Sequence, residues 1–176
     1  GRQPYSENSS AKDNAILAFL TYGEGYHNYH HTFQWDYRNG IHWWHFDPTK
    51  WMISILSFAG LTHDLKRCNP AQIEKARLEL QYLKAAEKCE RFDIPESWRL
   101  RLETEYEQLV QTLQLWTEHR QAWYEAKGKQ LQESLTSLDQ LQLKHGYREV
   151  QYRLKTQKQR WQHLLRDLAQ PHPQLI

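Results

Sequence analysis

Three histidines, His27, His30 and His31, stand at positions i, i+3 and i+4 within the run Gly23-Glu24-Gly25-Tyr26-His27-Asn28-Tyr29-His30-His31-Thr32-Phe33. On a helix such positions share one face, so this spacing aims three imidazoles at a common volume. Neutral imidazole ligates iron, zinc, copper or nickel, and the pattern therefore describes part of a transition-metal site without choosing the metal. Surface histidines also cluster by chance, so the flanking residues must decide. His42 and His45 have i, i+3 spacing as well, but they lie in a Trp-rich stretch and read as interfacial or structural. His63, His119, His145, His163 and His172 are scattered and read as surface residues.

The elements that must hold this cluster are legible from local signals. Residues 1–13 are polar, with Pro4 and Ser9-Ser10, and read as an exposed loop entering a helix near Ala11 to Asp13. That helix carries the apolar run Ile16, Leu17, Phe19 and Leu20 towards the histidines. Asn39-Gly40 marks a turn. Asp47-Pro48-Thr49 reads as a helix start, with Asp47 as N-cap and Pro48 at the first helical position. The helix places Trp51, Ile55 and Phe58 on one face and ends at Gly60. The stretch from Trp43 to Leu61 suits either a membrane surface or an ordinary core face.

Beyond Cys68-Asn69-Pro70 the composition shifts to Gln, Glu, Lys and Leu. Residues 71–92 read as one helix, closed by Pro95. From Glu96 onward Leu102, Tyr106, Leu109, Leu113, Trp116 and Trp123 recur at three- and four-residue steps, interrupted by Arg120, which is a heptad seam. Gly128 and Gly146 are candidate breaks. Leu131, Leu135 and Leu138 continue one stripe, Tyr147, Val150, Leu154, Trp161, Leu164 and Leu168 form another, and Pro171 and Pro173 end it. A reversal near Gly146 would pair the stripes as an antiparallel hairpin; pairing between two chains, a route to self-association, satisfies them equally. The fold class is all-α, divided into 1–67, a connecting helix at 68–95 and a coiled-coil-like extension at 96–176.

Twenty-three basic against 21 acidic residues give a net charge of +2, so no nucleic-acid partner is argued by charge. Hydrophobic residues make up 39% and charged residues 25% of the chain, with a mean hydropathy of −0.91. No run approaches the roughly 20 apolar residues of a membrane span. Cys68 and Cys89 lack a metal spacing and fit a reducing cytoplasm.

The residues from Gly1 to about Arg67 resemble the C-terminal part of membrane fatty acyl-CoA desaturases of the stearoyl-CoA delta-9 type. The resemblance is carried by Arg2-Gln3-Pro4-Tyr5, by Leu20 to Phe33, by Asp36-Tyr37-Arg38-Asn39-Gly40, by Trp43-Trp44 with Phe46 to Trp51, and by Gly60 to Lys66. Their order and spacing follow the family; Gln34, where many relatives have proline, departs from it at a turn. The resemblance implies a membrane oxidoreductase with a non-haem di-iron site, because no side chain can take hydrogen from a saturated methylene unaided. Dioxygen and electrons from a donor such as cytochrome b5 or ferredoxin would introduce a cis double bond into an acyl chain carried on CoA or lipid. His27, His30 and His31, as the third histidine box, carry over as metal ligands; Glu24 and Asp36 are the nearest carboxylates able to orient them.

The resemblance also implies what is missing. The chain begins at Gly1 inside a family motif, and two earlier histidine boxes, one further histidine and the spanning helices of a multi-pass enzyme are absent. The expectation is an inactive fragment from the cytoplasmic side of a membrane protein, exposing apolar surface where its helices are cut away. A related hydroxylase and a non-catalytic helical interaction module are the competing readings.

Overall fold

The computed structural model describes residues 1–130 and 137–170. Among these the structure is all-α, with no strand and only two isolated bridges, Arg2 to Asp13 and Asp13 to Tyr26. Six helices follow in order: α1 (Ala15–Leu20), α2 (His27–Thr32), α3 (Pro48–Phe58), α4 (Pro70–Arg91), α5 (Glu96–Gln130) and α6 (Ser137–Ala169). No helix among the described residues is long and apolar enough to cross a membrane. The chain divides into two compact units, residues 1–80 and 81–176.

In the first unit the short helices are fixed by side-chain caps. Asn14 caps α1, its Oδ1 accepting from the amides of Ile16 and Leu17. The helix thus starts at Ala15, later than its sequence indicates, because Asp13 is drawn into extended backbone pairing with Arg2 and Tyr26 instead. Asp47 caps α3 with Pro48 behind it, and Gly60 follows the last turn at φ +72°, as Asp47-Pro48 and Gly60 predict. The core is aromatic: Tyr5, Tyr29 and Phe33 meet edge to face over Cys68 and Ile73, with Tyr5 5.4 Å from Tyr29 and 5.8 Å from Phe33 by ring centroid. Arg77 lies over the Tyr5 ring and donates to its hydroxyl at 2.8 Å.

The same unit leaves much apolar surface uncovered. Ile16, Phe19 and Leu20 of α1, Trp43 and Trp44, and Ile55 and Phe58 of α3 are all exposed, Phe58 at 96%. The α3 face marked by its spacing is therefore outward and not a core face of this unit.

In the second unit α5 and α6 form the antiparallel hairpin. Tyr106 meets Trp161, Glu105 meets Arg160 at 3.8 Å, and Trp116 meets Tyr147, so positions rise on one helix as they fall on the other. Leu102, Leu109, Leu113, Leu154, Trp161, Leu164 and Leu168 are buried, as the two stripes predict. The end of α4 supplies a third helix: Gln81 accepts from the Trp161 indole at 2.8 Å, Tyr82 stacks on Tyr106, and Lys88 donates to the Leu168 carbonyl.

The chain does not reverse near Gly146. That residue lies inside α6, as Gly128 lies inside α5. A Cβ at Gly146 would stand 3.2 Å from the His119 ring, so the glycine is explained by close approach to α5 and not by a helix end. Arg120, which interrupts the seam, lies over the rings of Trp116 and Tyr124. Leu138 is exposed. Leu131, Leu135, Pro171, His172 and Pro173 lie outside the described residues.

Candidate metal centre

Helix α2 begins at His27, and its six residues carry all three histidines. The structure brings two of them together. The Nε2 atoms of His27 and His31 are 3.0 Å apart, one ring's N–H donating to the other. His30 stands apart, its ring centroid 6.4 Å from His27 and 5.9 Å from His31, with a buried Nδ1 that has no hydrogen-bond partner. Among the described residues no group of three or more His, Cys, Asp or Glu side chains gathers closely enough to hold a metal ion. The donors converge as a pair.

The pair's 3.0 Å separation is a hydrogen-bond distance, and it is also one that two ligands of a single ion can adopt. Two nitrogens at right angles around one octahedral or square-planar ion, each about 2.1 Å from it, stand about 3 Å apart. An ion bound there requires ligands beyond His27 and His31, since two imidazoles leave most of a coordination sphere open. Both histidines face a groove of about 500 Å³ that is also lined by Ser9, Lys12, Leu17, Thr21 and Glu24.

Of the two carboxylates expected to orient the imidazoles, Glu24 shares the groove but bonds to the Asn39 side-chain amide at 3.2 Å. Asp36 is committed to the fold. Its oxygens accept five hydrogen bonds, from the Tyr29 hydroxyl, from the Arg38 guanidinium and amide, and from the Cys68 amide, and none from a histidine. Burial pushes its carboxyl up, but the bonds from Arg38 and Tyr29 outweigh burial and hold it below the usual carboxylate range. The Tyr29 hydroxyl is pushed up by burial and by Asp36, and burial pushes the Cys68 thiol up to about 11, so neither is a ready nucleophile.

The residues that hold α2 in place are ones its sequence does not advertise. Asn28, fully buried, accepts from the Tyr5 amide at 3.0 Å and donates to the carbonyls of Ser6 and Ala11. Asp13 accepts from the amides of Asn28 and Tyr29 at 2.8 and 3.2 Å. Gly25 lies so close to the backbone of Ala18 and Asn14 that no Cβ fits there. Only glycine lets the approach to α2 pass over α1.

A second cluster braces the other side. Tyr26 stacks on His45 at 4.4 Å, and His42 stacks on Trp44 at 4.3 Å, a structural role for both histidines. Buried Lys50 donates to the carbonyls of Gly40, His42 and His45, while fully buried Asp47 accepts from the amides of Asn39, Gly40 and Lys50. Burial lowers the Lys50 pKa, partly offset by Asp47.

Burial, with His42 and Lys50 beside it, pushes the His45 imidazole down to about 4; Asp47 acts the other way and Arg77 with Lys50. A histidine depressed in the folded state gives stability that is complete above its unfolded value of about 6.5 and is lost as the pH falls towards 4. The first unit is expected to lose thermal stability across this window, and His45→Phe, which keeps a ring against Tyr26, to flatten the loss. Melting temperatures at pH 7, 5.5 and 4 check this; an unchanged acid slope in the variant sinks it.

The chain is 44% identical over 88 residues to acyl-CoA desaturase 1 of Saccharomyces cerevisiae, which is 50% of this chain and 17% of that protein. It is 47% identical over 75 residues to a probable acyl-CoA desaturase of Schizosaccharomyces pombe, 43% of the chain and 16% of the relative. With human stearoyl-CoA desaturase 5 it shares 42% over 79 residues, 44% of the chain and 24% of the relative. The match thus spans at most about a quarter of these relatives' length and falls in their C-terminal part. No family model and no solved structure matches the chain.

Proposed function

We propose that this chain, homologous over about half its length to acyl-CoA desaturases, is the C-terminal part of a membrane enzyme that introduces a cis double bond into a saturated acyl chain. The observation that carries the reading, beside the homology, is the 3.0 Å approach of His27 Nε2 to His31 Nε2 at the edge of an open groove. His27 and His31, with His30 one step away on α2, would hold iron of a non-haem di-iron site completed by histidines elsewhere in the protein. When bound, that iron supplies the dioxygen chemistry that no side chain provides.

The chain's own residues hold and shield. Asp13 and Asn28 fix the helix that bears the imidazoles, and the Asp36 cluster fixes the end of the segment that follows it. The outward apolar residues of α1, α3 and the Trp43-Trp44 loop fit contact with membrane-embedded helices or the bilayer surface. The substrate is an acyl chain on CoA or lipid, attacked at the delta-9 position, with electrons from a donor such as cytochrome b5 or ferredoxin, on the cytoplasmic side of the membrane.

The test is expression of the longer protein that carries this chain in a host lacking its own acyl desaturase. Gas chromatography of the acyl chains is expected to reveal cis-monounsaturated products with the bond at carbon 9, whereas the 176-residue chain alone makes none. Hydroxylated chains would move the reading to the related hydroxylases. Unaltered acyl chains from a well-expressed protein without bound iron would refute it.

A further inference from the structure

We propose that Asp13 is the positioning residue of the imidazole pair, acting through the first turn of α2. Helices shorter than about 12 residues are marginal in isolation, so a six-residue helix needs an external hold. Its own N-cap residue, Tyr26, gives no side-chain hydrogen bond. The unpaired amides of a first turn must nevertheless find acceptors. One oxygen of Asp13, from a segment remote in sequence, takes the amides of Asn28 and Tyr29. A carboxylate there also meets the positive end of the helix.

Asp13 is itself immobilised. Its backbone pairs with Arg2 in both directions, at 2.7 and 2.8 Å, and bridges to Tyr26, while the next amide, of Asn14, donates to the Gly25 carbonyl at 2.7 Å. The carboxylate is therefore a fixed point from which the start of α2 is hung. His27 is the first residue of that turn and His31 lies one turn on, so the direction of this helix sets where the two Nε2 atoms meet. Asp36, the carboxylate nearer in sequence to His30 and His31, has no such bond to α2's amides. Its one bond to this helix is to the Tyr29 side chain.

That the pair serves a metal rests on the reading above; that Asp13 places the pair does not. The two are separated by comparing the 176-residue chain with its Asp13→Asn and Asp13→Ala variants in mild detergent, by NMR without metal and then by Co²⁺ titration. The ring-to-ring contact between His27 and His31 is expected in the parent and in Asp13→Asn, whose side-chain oxygen still accepts both amides. It is expected to be lost in Asp13→Ala, with amide exchange at Asn28 and Tyr29 faster by about tenfold and the Tyr5–Phe33 contact intact. Survival of the histidine contact in Asp13→Ala, or its absence from the parent, overturns the proposal. So does collapse of the Tyr5–Phe33 contact along with it, which would make Asp13 a general fold residue. Co²⁺-induced shifts at the His27 and His31 rings of the parent support the metal reading, whereas Co²⁺ that binds and leaves both rings unshifted counts against that reading alone.

Discussion

Alanine at His27 or His31 in the full-length protein is expected to abolish double-bond formation and to strip most of the bound iron. The change removes one of two converging nitrogens, and a site that loses one of its ligands holds a metal ion far more weakly. His30→Ala is expected to act in the same direction, since its buried Nδ1 has no hydrogen-bond partner on the protein. Glu24→Gln, whose side chain lines the groove and accepts from Asn39, should cost no more than the 10- to 100-fold range typical of groups that orient ligands. Iron per protein by mass spectrometry and product by gas chromatography measure both. Full iron content in His27→Ala and His31→Ala would remove these residues from the ligand set.

Asp36→Ala is the second large effect, and it is expected in stability. The side chain is fully buried, with Arg38 paired to it at 2.7 Å and 15% exposed. Removing one partner of such a pair leaves a charge without compensation, which costs about 3–5 kcal/mol. Here the Tyr29 hydroxyl and the Cys68 amide lose their acceptor as well. Urea unfolding followed at the Tyr5 and Phe33 resonances should register the loss; a change below about 1 kcal/mol would contradict the role assigned to Asp36. Because the folded carboxyl is held below its ordinary range, this contribution is complete above an unfolded value of about 3.9 and is lost as the pH falls further. It therefore fails at lower pH than the contribution of His45, and an acid titration separates the two.

The parts of the fold that were legible in the sequence are those with local causes. Asp47, Pro48 and Gly60 bound α3 because capping acts over one turn, and the hairpin follows from leucines and aromatics repeating along each helix. Gly146 misleads because a glycine in a helix costs only about 1 kcal/mol, and packing against His119 decides its place. The helical spacing of the three histidines puts them on one face, but it does not tell that only two of the rings meet. Asp13 and Asn28 stay hidden, since each works through bonds to residues distant in the chain. Asp36 is visible as a carboxylate near the histidines, yet which groups it binds depends on Cys68 arriving from the other end of the unit.

The brevity of α2 bears on transfer and search. A helix whose direction is dictated by Asp13 and by the buried amide of Asn28 cannot be moved to another scaffold as five or six residues. The smallest portable piece runs from Arg2, which pairs with Asp13, to Phe33. By the same logic, a pattern for recognising such sites gains more from an Asn between the first two histidines and an acidic residue ahead of the Gly-Glu-Gly turn than from any refinement of the imidazole spacing.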